Sequence, residues 1–306
     1  MANTARTQHL FDDFWPLATA ATGVGYLAIA YAVARWLTRP SPAVLDQLEE
    51  LPSCSIEAIE CRTSDGLLLK GWAIEPPSPR ATVALFHGLR GNRLSMLERV
   101  RVLTAAKYRC VAFDHRAHGA SGGTYTSFGY HEGQDVVAVS QFLRARWPKQ
   151  PSAALGCSMG AAAICAAGEG AAFDAFVLES LYYDLSRAFE CRIGCDFPVW
   201  FGYFRAGIVW FIEHRLALRV ADVAPAAYIS RLAARPMLLV TGSEDCHSPP
   251  ADVEAIASVV ADSAQFAVIP GAGHVDLFEK GGASYQELLL SFLDQQLIPC
   301  QRSNAA

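Results

Sequence analysis

Residues 152–167 read Ser152-Ala153-Ala154-Leu155-Gly156-Cys157-Ser158-Met159-Gly160-Ala161-Ala162-Ala163-Ile164-Cys165-Ala166-Ala167. The first four form a short apolar strand and the residues from Ala161 a small-residue helix, so Gly156-x-Ser158-x-Gly160 falls on a strand–turn–helix junction. A serine hydroxyl is a poor nucleophile. A sharp turn of this kind holds it where a histidine can take its proton and backbone N–H groups can receive an oxyanion. Glycine two residues before and two after the serine removes Cβ atoms that would collide as strand and helix close on each other. A second match, Gly119-Ala120-Ser121-Gly122-Gly123, is followed by Thr124-Tyr125-Thr126-Ser127, which has a loop composition. Nucleophilic character is therefore assigned to Ser158 and a loop role to Ser121.

Around this junction the chain alternates. Ile56–Cys61 and Leu67–Ile74 read as two strands joined by Thr63-Ser64-Asp65-Gly66, a hairpin with Asp-Gly turn chemistry. After Pro76-Pro77-Ser78-Pro79, short apolar runs at Thr82–Phe86, Cys110–Phe113, Ser152–Leu155, Ala175–Leu178, Met237–Val240 and Gln265–Ile269 are mostly separated by helix-length segments. Such alternation predicts a mainly parallel sheet with helices on both faces, and active residues gathered at the carboxyl ends of its strands.

The strand ends carry the chemistry. Phe86 runs into His87-Gly88-Leu89-Arg90-Gly91-Asn92, whose Leu89 N–H, with that of Met159, is expected to form an oxyanion hole. His87 reads as a structural histidine, and Asp114-His115-Arg116 as ions that tie down their loop. The run Met237–Val240 ends in Thr241-Gly242-Ser243-Glu244-Asp245, and the last strand in Pro270-Gly271-Ala272-Gly273-His274. Ser158, Asp245 and His274 then follow the serine–acid–histidine order of one triad type. A histidine near pKa 6.5 serves first as base and then as acid, while the aspartate fixes its tautomer. Glu244 and Asp184 are the rival acids and His247 the rival base.

At 306 residues the chain is long enough for a large core, and its net charge of −5 gives no footprint for nucleic acid. Phe14–Ala34 carries no charged residue and is long enough to cross a ~30 Å hydrocarbon core, with Trp15 and Trp36 near its ends. The expectation is a single-pass membrane helix at about residues 14–36 within an N-terminal segment 1–40. A cleaved signal peptide and a buried helix are the alternatives, and Arg35 and Arg39 favour a cytoplasmic catalytic domain. A linker at 41–55, a folded domain at 56–297 and a tail at 298–306 complete the expected organisation. Of nine cysteines, Cys110, Cys157 and Cys165 fall in or beside apolar elements as small hydrophobes. Cys191 and Cys195 are spaced C-x3-C with no second ligand pair of metal type, so no metal site is expected; a bridge between them requires an oxidising compartment.

In combination, His87-Gly88 with Gly91-Asn92, Asp114-x-Arg116 leading to Gly119-x-Ser121, Gly156-x-Ser158-x-Gly160, Gly242-x-x-Asp245 and Gly273-His274 resemble an α/β-hydrolase-fold enzyme over about residues 56–297. The chain is most similar to the branch described as BEM46-like or serine-aminopeptidase-like, with an N-terminal hydrophobic segment. Ala117-His118 departs from the Arg-Gly-x-Gly turn of many relatives. The resemblance implies hydrolysis of an ester, thioester or amide through an acyl-serine intermediate, with no metal and no organic cofactor. It also implies that the interrupted stretch at about 184–232, rich in aromatics such as Phe197, Trp200, Phe201 and Trp210, forms a helical cap. Those aromatics either pack the cap onto the sheet or wall an acyl-binding site. The expected function is a serine hydrolase acting on a small-molecule or lipid acyl ester. A peptidase or amidase using Glu190, Asp196 or Glu213 to seat a charged group, and a non-catalytic membrane-anchored binding protein, are the alternatives.

Overall fold

The computed structural model describes residues 22–43 and 51–298. Its centre is an eight-stranded sheet built from β2 (Ser55–Arg62), β3 (Leu68–Glu75), β4 (Ala81–Phe86), β5 (Tyr108–Phe113), β7 (Ser152–Cys157), β8 (Ala175–Glu179), β9 (Met237–Gly242) and β10 (Ala264–Ile269). The order across it is β10-β9-β8-β7-β4-β5-β3-β2. The hairpin β2–β3 and the β3–β5 pair are antiparallel, and every other pairing is parallel. Each strand coincides with an apolar run read from the sequence.

The strands β4, β5, β7, β8 and β9 are buried on both faces, and alternate side chains divide between two cores. From β4, Ala84 and Phe86 join one core while Val83 and Leu85 join the other. The first core is completed by α3 (Glu132–Arg146), α4 (Met159–Ala167) and α8 (Pro250–Val259), through residues such as Val139, Ile164 and Ile256. The second is closed by α2 (Leu97–Ala105) and α9 (Leu277–Leu297), through Val100, Leu103, Leu289 and Phe292. This is the α/β-hydrolase fold. Between β8 and β9 the chain forms no strand; it runs through α5 (Leu185–Asp196), α6 (Arg205–Leu216) and α7 (Pro225–Tyr228), with short 3-10 turns between them.

The N-terminal region corrects the membrane expectation. No helix among the described residues is long and apolar enough to cross a membrane. Residues 14–21 of the expected span lie outside the described residues, and residues 22–38 form a helix, α1, with a one-sided burial pattern. Ala30, Ala34 and Thr38 are buried at four-residue spacing, whereas Val24, Leu27, Ile29 and Tyr31 are exposed. A stripe of that kind belongs to a helix packed along one side against the rest of the protein.

The contacts of α1 agree with this reading. Tyr26 stacks on Phe204 at 5.2 Å between ring centroids and accepts the Gly207 N–H at 3.1 Å. Arg215 Nε donates to Thr38 Oγ1 at 2.9 Å, and the Arg90 guanidinium lies 3.6 Å over the Trp36 ring. Beyond α1, β1 (Ser41–Pro42) pairs with β6 (His118–Gly119). Of the expected linker and tail, residues 44–50 and 299–306 lie outside the described residues.

Candidate active site

The backbone geometry of the junction explains its glycines. β7 ends at Cys157, α4 begins at Met159, and Ser158 between them has φ 52° and ψ −111°, a conformation unfavourable for a residue with a Cβ. A Cβ on Gly160 would stand 2.2 Å from the Phe86 carbonyl oxygen, and one on Gly156 would stand 2.6 Å from Ala161 N. No side chain fits at either position without moving backbone. The Ser158 N–H donates to the Glu179 carbonyl at 2.8 Å, which fixes the turn against β8.

The turn directs the Ser158 hydroxyl at His274. Ser158 Oγ lies 3.0 Å from His274 Nε2, and His274 Nδ1 lies 2.9 Å from Asp245 Oδ2. With Nδ1–H donating to the carboxylate, Nε2 is left to accept the serine proton. Asp245 is itself held: its Oδ1 accepts the N–H of His247 at 3.0 Å and that of Ser248 at 2.8 Å. The loops after β9 and β10 approach this closely because a Cβ on Gly242 would lie 2.1 Å from the Ala272 carbonyl oxygen. The Asp245 side chain is fully buried and that of His274 is 15% exposed, so the aspartate is shielded while the imidazole reaches the site.

The rival residues have other tasks. Asp184 accepts the Arg187 N–H at 2.8 Å as the N-cap of α5, and Glu244 is exposed. Ser121 Oγ donates to the Asp114 carbonyl at 2.7 Å and accepts the Lys70 N–H at 2.9 Å, so it braces its loop. Asp114 accepts from Arg93 N at 2.7 Å, Arg93 Nη1 at 2.6 Å and Ala120 N at 2.8 Å. His87 accepts the His115 N–H at Nε2, 3.1 Å away, while its Nδ1 is 2.8 Å from the Gly88 carbonyl. Burial, reinforced by neighbouring His115 and His118, lowers its pKa well below the ordinary histidine value, so it is a neutral strut. Burial, with the Glu179 carboxylate adding to it, raises the Cys157 thiol to about 12, so it is not a thiolate beside the nucleophile at neutral pH.

Over Ser158 lies a cavity of about 60 Å³ whose lining includes Leu37, Leu89, Phe128, Met159, Phe189 and His274. Met159 is the first residue of α4, so its N–H has no intrahelical acceptor. The Gly88–Leu89 segment runs close by, since a Cβ on Gly88 would be 3.4 Å from the Cys157 carbonyl and 3.6 Å from Ser158 Cβ. A second, apolar cavity of about 140 Å³ shares Leu37, Phe189 and Arg192 with the first and extends to Trp36, Phe197 and Phe201. The aromatics thus divide: Phe197 and Phe201 stack at 4.4 Å and line this cavity, whereas Tyr203 is 81% exposed. A larger groove of about 810 Å³, at Thr82, Ser152 and Asp174, lies at the amino ends of the strands, away from Ser158.

Sequence reading did not identify several participants. Leu37 follows directly on the span read as an anchor. The N–H groups of His247 and Ser248 hold Asp245 through backbone, which leaves no mark in residue type. Behind the turn, Glu179 joins Arg99 and Tyr285, which are far from it in sequence.

The α/β-hydrolase fold and the serine–histidine–aspartate hydrogen-bond chain at its strand ends together define the class of protein to which this one is similar. Residues 77–188 match the model of the family described as Serine aminopeptidase, S33. The chain is 25% identical over 255 residues to the uncharacterized protein YqkD of Bacillus subtilis, covering 81% of this chain and 83% of that one. It is 25% identical over 256 residues to YfhR of Escherichia coli K12, covering 80% and 83%. Among solved structures, the Pyrococcus furiosus esterase Pf2001 superposes with a TM-score of 0.71 at 22% identity, over 85% of this chain and 98% of that one. The alpha/beta hydrolase GrgF from Penicillium sp. sh18 superposes with a TM-score of 0.63 at 17% identity, over 79% and 99%.

Proposed function

We propose that this protein is a serine hydrolase that cleaves carboxylic esters through an acyl-serine intermediate. The carrying observation is the unbroken chain from Ser158 Oγ through His274 to Asp245, at 3.0 and 2.9 Å, opening onto an apolar cavity. Ser158 Oγ attacks the ester carbonyl while His274 Nε2 takes its proton, and the N–H groups of Leu89 and Met159 receive the oxyanion. The intermediate collapses as His274 returns the proton to the leaving alcohol. Water, activated by the same imidazole, then releases the acid and regenerates the serine. Asp245 holds the Nδ1–H tautomer and stabilises the imidazolium. Residues 56–297 form the catalytic domain, and residues 184–232 serve as its cap.

The two adjoining apolar cavities support an acyl ester substrate, because each methylene taken from water into them contributes up to about 0.8 kcal/mol. The peptidase alternative needs an acidic group free to seat an amine. Glu190 instead pairs with Arg205 at 2.6 Å, Asp196 with Arg192 at 3.1 Å, and Glu213 accepts the Val220 N–H at 2.8 Å. A thioester reacts by the same steps and is the nearest chemical variant. The name of the structurally similar Pyrococcus protein, an esterase, agrees with the ester reading.

The test is labelling with a fluorophosphonate, together with turnover of para-nitrophenyl esters of graded chain length and of aminoacyl anilides. Wild type and Ser121→Ala should label, Ser158→Ala should not, and ester turnover should rise with chain length until the cavity is filled. Labelling that persists in Ser158→Ala, or anilides cleaved faster than esters, would sink the proposal.

A further inference from the structure

The loop that carries Asp245 continues into Cys246 and His247, and these meet Cys195 from the carboxyl end of α5. The two sulfurs and an imidazole nitrogen all lie within 4.8 Å of one another. Cys195 Sγ–H donates to the Cys246 carbonyl at 3.3 Å, and both thiols are free. His247 Nε2 lies 2.9 Å from Asp196 Oδ1, so the proton is assigned to Nε2 and Nδ1 is left as an acceptor. That Nδ1 is buried and has no hydrogen-bond partner. Left unsatisfied, such an atom costs about 1–3 kcal/mol.

We propose that Cys195 Sγ, Cys246 Sγ and His247 Nδ1 form a binding site for one soft divalent cation, with Zn²⁺ the fitting ion and a fourth position open to water. Two thiolates and an imidazole select zinc over magnesium or calcium, which take oxygen ligands. A histidine whose second ring nitrogen donates to a carboxylate, as His247 does to Asp196, is the arrangement that orients metal-bound imidazoles. Ligand atoms around a tetrahedral zinc stand roughly 3.5 Å apart, so side-chain rotation over about an ångström closes the site. On binding, each thiol releases its proton to solvent, and two thiolates balance the charge of the ion. The C-x3-C spacing of Cys191 and Cys195 hid this arrangement, because the partners of Cys195 arrive from a loop 51 residues away.

The location gives the site a consequence. The ion joins α5, in the strandless segment, to the loop that presents Asp245, and the His247 ring lies 5.1 Å from that of His274 between centroids. His247 also lines the cavity over Ser158. Zinc at this position therefore ties α5 to the loop that presents Asp245, beside the cavity over Ser158.

The experiment titrates the reduced full-length protein with Co²⁺, reading the thiolate-to-metal charge-transfer absorption, followed by displacement with Zn²⁺. One equivalent should produce the band in wild type and in Cys191→Ser, and Cys195→Ser/Cys246→Ser should abolish it while retaining wild-type circular dichroism. Asp196→Asn should weaken zinc about 10- to 100-fold. Zinc should also raise the melting temperature of wild type and leave that of the double serine variant unchanged. No band in wild type, a band of equal intensity in the double variant, or unchanged affinity in Asp196→Asn would overturn the assignment. Metal binding is read without substrate, so failure here leaves the Ser158 proposal standing.

Discussion

Glu179 accepts the backbone N–H of Ser158 at 2.8 Å through its carbonyl, while its carboxylate is gripped by Arg99 Nε at 2.9 and 3.0 Å. One residue thus links the strained turn to a buried ion pair behind the sheet. Tyr285 on α9 donates its hydroxyl to Glu179 Oε1 at 2.6 Å, which completes the coordination. The Glu179 side chain is fully buried and that of Arg99 is 9% exposed, so neither charge has water to fall back on.

Removing only the cation should therefore be severe. Arg99→Met is expected to lower stability by about 3–5 kcal/mol, because it strands the Glu179 carboxylate. Adding Glu179→Gln removes that charge but keeps an acceptor for Tyr285, and should restore part of the loss. Urea denaturation of the two variants and wild type decides. A double variant no more stable than Arg99→Met would show that the damage comes from lost packing.

Asp245 should be separable from its rivals by rate. Asp245→Asn keeps the shape and can still accept from Ser248, but its amide no longer enforces the Nδ1–H tautomer of His274. A fall in kcat on the order of 10⁴, with little change in KM, is expected. Asp184→Asn and Glu244→Gln should stay within a few-fold of wild type. Loss of activity in Asp184→Asn with Asp245→Asn nearly intact would reverse the assignment of the acid.

The strands were legible because short apolar runs bounded by turn residues have few other readings, and the alternation with helices then implied a parallel sheet. Ser158, Asp245 and His274 stood out as candidates because each follows such a run. Arg99 and Glu179 did not, since nothing local marks two ions 80 residues apart as partners. The membrane expectation failed for a different reason. Counting charges over Phe14–Ala34 ignored sidedness, although Ala30, Ala34 and Thr38 already lay on one stripe. An uncharged helix can also rest on a protein along one such stripe, even where Val24, Leu27 and Ile29 stay exposed.

Stability should fall in acid, and Glu132 allows the sign to be derived. Burial would raise its pKa, but the donors facing it prevail and hold it below the ordinary glutamate value. Those donors are Thr126 Oγ1, Ser127 N and Oγ, and Gly129 N, at 2.9, 2.9, 2.5 and 2.9 Å. As pH falls, the unfolded chain takes up a proton near ~4.3 before the folded one does, so stability declines. The contribution of Glu132 is thus complete above the unfolded value and is lost as pH falls through the folded one. Glu132→Gln, which turns an amide donor toward these donors, should cost about 2–4 kcal/mol at neutral pH. The gap from wild type, measured by urea midpoints, should shrink as the pH is lowered below ~4. A gap independent of pH would contradict this account.

The helix α1 should shape substrate preference. Its Leu37 lines both the cavity over Ser158 and the apolar cavity behind it, and Trp36 lines the second. Leu37→Trp should therefore fill space at the boundary the two cavities share. Acetyl ester turnover should change little, whereas kcat/KM for longer acyl esters should fall by about 10-fold or more, equivalent to losing about 1.4 kcal/mol of apolar contact. Beginning the chain at Leu51 removes α1 altogether and uncovers Phe204, Gly207 and Ile208, so the shortened protein should melt lower and lose chain-length discrimination even though Ser158, Asp245 and His274 remain. The ratio of long- to short-chain kcat/KM separates the effects, because general unfolding lowers both alike. If Leu37→Trp and the shortened chain both keep the wild-type ratio, α1 has no part in binding substrate and only covers the segment between β8 and β9.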